Sequence, residues 1–369
     1  MTGERLRALA ERGQAVWLDS LSRDLVRGGG LRLAMEEDAV SGVTSNPTIF
    51  QRAIASTDAY DAEIHALAAA GLDATSTFFA LAVVDVQEAC DLFRPVWELT
   101  GGNDGFISLE VDPRLAYDAD ATVGQAVELH AAVDRANLLV KIPATEAGLP
   151  AIEHCIAAGI SVNVTLIFSL ARYRAVIEAY LCGLERLVER GGDPAAVRSV
   201  ASFFVSRLDT EVDRLLARHH EPALLGQVGV ANARLAYASF QETFASQRFA
   251  RLASSGAATQ KPVWASVSTK NPAYRDTMYV EELIGPDTVN TMPPETVQAF
   301  RDHGEVRGDT VLEGVETARA VLELLAAMGV DYDVIVADLE TEGVRRFVDS
   351  FDELLVGIET KSAGPAPVR

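Results

Sequence analysis

Apolar residues fall along this chain in two alternating patterns. Short, near-continuous apolar runs occupy residues 15–20 (AVWLDS), 39–47 (AVSGVTSNP), 105–113 (GFISLEVDP) and 137–145 (NLLVKIPAT). Four more follow at 160–168 (ISVNVTLIF), 199–209 (SVASFFVSRLD), 261–269 (KPVWASVST) and 287–293 (DTVNTMP). Runs of this kind mark strands covered on both faces, as in a parallel sheet. Between them, apolar residues recur every three or four positions, as in 123–136, 148–159 and 169–192, the last ending at a Gly-Gly pair. That spacing predicts amphipathic helices. Eight strand–helix units predict an α/β fold, a closed (β/α)8 TIM barrel. A doubly wound open sheet is the alternative, but the turn after the first run, LDSLSRD, lacks the glycine-rich fingerprint of that fold.

Two connections are long. Residues 48–104 and 210–260 each have room for at least two inserted helices, and a further helix is predicted at 339–358 near the C-terminus. The apolar run 333–339 mimics a ninth strand, and we read it as the lead into that helix. The expected organisation is one domain over residues 1–360 with a disordered tail at 361–369.

In such barrels the chemistry sits at the C-terminal ends of the strands. Taken in order, the runs deliver Asp19; Thr44, Ser45 and Asn46; Glu110 and Asp112; and Lys141 and Thr145. The second half delivers Asn163 and Thr165; Ser202, Ser206 and Arg207; Ser266, Ser268 and Lys270; and Asn290 and Thr291. A polar residue at a strand end is often merely solvated. Asp19, Glu110 and Lys141 are different, because ionisable groups inside apolar strands are costly unless paired or functional. A structural ion-pair network is the bland reading of the three.

Composition narrows the chemistry. The formal net charge of −21 argues against a nucleic-acid partner. It also means that local cations must hold any phosphate against a repulsive overall field. No apolar stretch has the length of a membrane span, and the charged opening MTGERLRALAERG lacks the apolar core of a signal peptide, so the expected location is the cytoplasm. The helical faces show no extra apolar stripe that would define an assembly. Cys90, Cys155 and Cys182 have no metal or redox spacing and read as small core residues in helices. The six histidines (His65, His130, His154, His219, His220 and His303) form no HExxH motif, so no metal site is expected. Among 32 cations only four are lysines, and Lys141, Lys261 and Lys270 lie in or beside strand-like runs. Only lysine can do amine chemistry.

A desolvated lysine attacks carbonyls and forms a Schiff base, an electron sink beside the α-carbon. Two carboxylates on other strands can then divide the proton transfers. Asparagines and hydroxyls suit a polyhydroxylated substrate, and Arg207 and Lys270 fall where barrels commonly bind phosphate. The residues therefore point to a metal-free, cofactor-free aldolase-type enzyme acting on sugar phosphates.

These residues also match a known family. GVTSNPTIF, SLEVDP, LLVKIPAT, ISVNVTLIFS, VASFFVSRLD and ASVSTKNPAYRDTMYVEELIGPDTVNTMP resemble transaldolase in its longer bacterial form, over almost the whole chain. The resemblance implies a barrel that moves a dihydroxyacetone unit from fructose 6-phosphate or sedoheptulose 7-phosphate to erythrose 4-phosphate or glyceraldehyde 3-phosphate. It implies Lys141 as the Schiff-base residue, with Asp19, Glu110 and Thr165 in catalysis. It implies Asn46, Asn163, Ser202 and Arg207 as substrate contacts, and the place of Ser266 at the end of the seventh strand adds it to them. The seventh strand departs from the shorter members, which carry an arginine soon after the Ala-Ser pair. Here Lys270 is the nearest cation, with Arg275 a competitor. A class I aldolase releasing free dihydroxyacetone and a non-catalytic sugar-phosphate-binding barrel are the alternative readings.

Overall fold

The computed structural model describes residues 3–219 and 224–364. Eight parallel strands close into a barrel in sequence order. They are β1 (Gln14–Leu18), β2 (Val40–Val43), β3 (Ile107–Glu110), β4 (Leu138–Pro143), β5 (Val162–Ile167), β6 (Ser199–Phe204), β7 (Lys261–Ala265) and β8 (Thr288–Met292). The fold is the (β/α)8 barrel expected from the hydrophobic pattern, with β1 pairing β8 to close the ring.

The strand interiors are apolar on both faces for two reasons. Outward residues such as Val140, Ile142 and Val164 pack against the helices in the main core. Inward residues near the strand starts fill the barrel floor, where Trp17, Phe106, Leu139, Val200, Val263 and Val289 form a separate buried cluster. Gly42 makes room for this plug, since a Cβ there would stand 2.6 Å from the Trp17 indole nitrogen. With its floor sealed by hydrocarbon, the barrel can admit a ligand only from the C-terminal ends of the strands.

The long connections carry the expected inserted helices, three in each among the described residues. Pro47–Ser56, Asp61–Ala69 and Ala74–Leu99 lie between β2 and β3, and Ser206–His219, Val228–Phe244 and Gln247–Ala253 between β6 and β7. At the C-terminus, Val315–Ala327 precedes the long helix Tyr332–Ala363. Asp331 caps that helix by accepting from the Val334 amide at 3.2 Å. Ile335, Val336, Leu339, Val344, Phe347 and Phe351 then recur on its buried side. Residues 333–339 are thus helical from the outset, because their apolar positions continue a helical spacing rather than alternate. The helix also extends beyond the expected start of the tail. Residues 361–363 are helical, and Lys361 is ion-paired to Asp61. The remainder of the expected tail, 365–369, lies outside the described residues, as does His220.

Among the cysteines, Cys90 and Cys155 are buried core residues. Cys182 is not. It is partly exposed on a helix surface, beside Glu178 at 3.2 Å and Arg248 at 3.4 Å. No described helix is long and apolar enough to cross a membrane.

Candidate active site

Parallel register brings the central groups together. Glu110 on β3 pairs with Lys141 on β4, and Lys141 pairs with Asn163 on β5. Residues in register in a parallel sheet face the same side, so three polar side chains stand abreast above the apolar floor. Lys141 Nζ lies 3.3 Å from Glu110 Oε2 and donates to the Ser45 carbonyl at 3.0 Å. It also sits 5.8 Å from the centre of the Phe347 ring, which the C-terminal helix lays across the mouth. The ammonium is almost fully buried but has a carboxylate, a carbonyl and a ring face as partners. These contacts offset the cost of placing a charge inside the strand.

Both neighbouring carboxyls are pushed towards the protonated form. Burial raises Glu110 to about 7, with the Lys141 ammonium opposing part of that shift. Asp19, just past the end of β1, is also raised by burial, and Lys141 and a hydrogen bond from Thr44 oppose the rise. Thr44 Oγ1 donates to Asp19 Oδ1 at 2.7 Å and lies 2.6 Å from Thr291 Oγ1. With a pKa near neutrality, Glu110 can both give and accept protons at physiological pH.

A hydrogen-bond chain fixes the amide beside the lysine. Asn163 Nδ2 donates to Ser108 Oγ at 3.0 Å, and Ser202 Oγ donates to Asn163 Oδ1 at 2.8 Å. Next to it on β5, Leu166 has a left-handed φ of 60° where the register with β6 shifts. A bulge of this kind re-aims its neighbours. Here the neighbour is Thr165, which lines the cleft while its buried Oγ1 has no protein partner.

The mouth opens into a cleft of about 1100 Å3. Of the ten predicted site residues, Asp19, Asn46, Lys141, Thr165, Ser202, Arg207, Ser266 and Lys270 line it. Glu110 and Asn163 do not reach its wall and lie buried beside Lys141 and Ser202 instead. Asn46 caps the helix Pro47–Ser56, its Oδ1 accepting from the Ile49 amide at 3.0 Å. Arg207 belongs to the first turn of the helix Ser206–His219 and stacks 5.1 Å from the centre of the Phe204 ring. Burial holds its pKa below the usual guanidinium range. Its neighbour Asp209 is committed elsewhere, accepting from the Gly229 amide at 2.7 Å. Ser266, with φ 54°, holds its hydroxyl 2.9 Å from that of Ser206.

Several other strand-end residues have structural partners. Asp112 binds Arg114, Thr145 Oγ1 donates to the Ala116 carbonyl, and Ser45 Oγ donates to the Ser108 carbonyl. Asn290 is paired in register with Trp264 and Val16, whose side chains belong to the outer core, and it does not line the cleft. Arg275 is held by Glu281 at 2.9 Å and Glu305 at 3.4 Å, outside the cleft. Lys270 is therefore the seventh-strand cation on the cleft side, donating to Ser268 Oγ at 2.6 Å.

Six charged residues that the strand ends do not supply also line the cleft: Arg52, Glu211, Glu295, Glu342, Arg346 and Asp349. Arg52 comes from the helix Pro47–Ser56, Glu295 from Pro294–His303 and Arg346 from the C-terminal helix. Arg346 is paired with Glu342 at 2.6 Å. Helical spacing could have suggested Arg52, one turn after Thr48, but not which face met the cleft. Among the described residues, no group of three or more His, Cys, Asp or Glu side chains is arranged to hold a metal ion.

Fold and mouth together define a (β/α)8-barrel enzyme whose centre is a lysine between two carboxyls. The model of the transaldolase/fructose-6-phosphate aldolase family matches residues 16–358, and the chain belongs to that family. It is 54% identical to the transaldolase of Mycolicibacterium paratuberculosis over 354 residues, 95% of each chain. It is 52% identical to that of Frankia alni over 353 residues and 51% identical to that of Mycobacterium tuberculosis over 354, again covering 95% of each chain.

Proposed function

We propose that this chain is a transaldolase that transfers a dihydroxyacetone unit between sugar phosphates through an imine on Lys141. The observation that carries the reading is the Lys141 amine, buried 3.3 Å from Glu110 and open to a cleft whose wall also carries Arg207 and Lys270. Lys141 Nζ attacks the C2 carbonyl of fructose 6-phosphate or sedoheptulose 7-phosphate, giving a carbinolamine. Glu110, poised near neutrality, exchanges protons with it through a water held by Thr165, and loss of water yields the imine. Asp19 takes the proton from the C4 hydroxyl. The C3–C4 bond breaks, its electron pair passes into the imine to form an enamine, and the aldose phosphate leaves. Asn46 holds the enamine hydroxyls directly, and Asn163 acts from behind the wall through the Ser202 hydroxyl it orients, until an acceptor aldehyde, erythrose 4-phosphate or glyceraldehyde 3-phosphate, reverses the sequence. Ser202 and Ser266 add hydroxyl contacts, and Arg207 and Lys270 bind the phosphate.

This activity belongs to the non-oxidative pentose phosphate pathway. A cytoplasmic setting fits a chain whose cysteines are all free thiols. The test is turnover of fructose 6-phosphate with and without erythrose 4-phosphate. Sedoheptulose 7-phosphate formed only with acceptor supports the transferase. Steady release of free dihydroxyacetone without acceptor would make the chain an aldolase.

A further inference from the structure

The rim carries its cations at two depths. Arg207 is the inner one, half-buried against Phe204. Lys270 and Arg52 are exposed, and they line the same cleft. Arg52 is placed by the helix that Asn46 caps. Thr48, Ile49, Arg52, Ala53 and Ser56 all face the cleft, at the three-and-four spacing of one helical face. At ~1.5 Å per residue, the step from Asn46 to Arg52 climbs about 9 Å along the helix axis. Asn46 and Arg52 are thus two points on one rigid element, one beside the reacting carbons and one farther out. Arg52 has no ion pair or hydrogen bond among the described residues, whereas Arg346 is engaged by Glu342. Lys270 feels both Arg207 and Arg52, and burial together with these like charges lowers its pKa against the opposing pull of Glu295. The three cations repel one another, Glu295 on the same wall offsets part of that repulsion, and a bound anion would offset the rest.

We infer that Arg52, with Lys270, forms an outer anion subsite that receives the phosphate of the seven-carbon ketose, whereas Arg207 is the principal cation for the six-carbon one. The inference rests on the transaldolase reading of the site. With C2 fixed at Lys141, sedoheptulose 7-phosphate extends one carbon farther than fructose 6-phosphate, and its phosphate lies correspondingly closer to the outer pair. Arg52 is a specificity residue here and takes no part in bond making.

The test is Arg52→Gln, which keeps most of the side-chain length and removes the charge. kcat/KM is measured for both ketose phosphates at low salt with saturating acceptor. The ratio of the seven-carbon to the six-carbon value should fall by about fivefold, the size of an exposed charge contact, and mainly through KM. The fall should shrink as salt rises, because exposed charges are screened. An unaltered melting temperature separates this effect from damage to the fold. A ratio within about twofold of wild type overturns the outer subsite, whether both substrates suffer equally or neither does. Wild-type protein that turns over neither ketose would instead overturn the transaldolase reading, and this assignment with it.

Discussion

Arg207→Ala separates phosphate recognition from structural support at the barrel rim. The simplest structural role for Arg207 would be an ion pair with Asp209 in the same helical turn, but Asp209 is buried and accepts from the Gly229 amide. The guanidinium has a ring face beneath it and no carboxylate partner among the described residues. Burial lowers its pKa, so the cation is held at a cost that a bound anion would relieve. Each charge-assisted contact to phosphate contributes about 1.5–3 kcal/mol, which is about tenfold to a hundredfold in kcat/KM. Truncation should therefore lower kcat/KM for fructose 6-phosphate by at least about tenfold while changing stability by no more than about 1 kcal/mol. The slow reaction of unphosphorylated fructose should be nearly unaffected, since it never uses the contact. The assay compares both sugars, with saturating acceptor, on the same variant, alongside a thermal melt. An equal loss for the two sugars, or a melt displaced by many degrees, would refute the phosphate role and return Arg207 to a bracing one.

Two further substitutions probe Asp19 at the cleft and the buried Asp209. Asp19→Asn should leave imine formation largely intact and block cleavage, so borohydride should trap a six-carbon adduct from fructose 6-phosphate; a three-carbon adduct at the wild-type rate would remove Asp19 from the cleavage step. Asp209, which burial pushes up to about 7, keeps its proton in the folded chain across a range where the unfolded chain has lost it. Its contribution is thus fully present below the ordinary carboxyl range and is lost as pH rises towards 7, by up to about 1.4 kcal/mol per pH unit. Asp209→Asn should flatten the fall in melting temperature between pH 5 and 7, leaving the part due to Glu110; an unchanged slope would show that Asp209 does not titrate there.

The barrel was legible because each strand combines an outward apolar face with an inward apolar start, which leaves a continuous run in the sequence. Lys141 was legible for the converse reason, as a charge in a run that should exclude it. The partner of each polar group was harder to read. Glu110 and Asp112 stand two residues apart at the end of one strand, yet Glu110 turns in to Lys141 and Asp112 turns away to Arg114. Asn290 follows the outward side of its strand, a distinction of one residue in pleat phase from Thr291. The cleft's outer wall was illegible for a different reason. Arg52 and Arg346 sit on exposed helical faces, and which exposed face meets the mouth depends on how the inserted and C-terminal helices pack over the barrel.

The most direct test of the Lys141 assignment is chemical trapping. Borohydride reduction of the wild-type protein with fructose 6-phosphate, followed by peptide mass spectrometry, should find a three-carbon adduct on the peptide carrying Lys141. The same treatment of Lys141→Arg should find none, with activity lowered by several orders of magnitude and folding preserved. An adduct on Lys261 or Lys270, or a Lys141→Arg variant that keeps more than about a tenth of its activity, would contradict the account, since ~1.4 kcal/mol is too little for loss of the nucleophile.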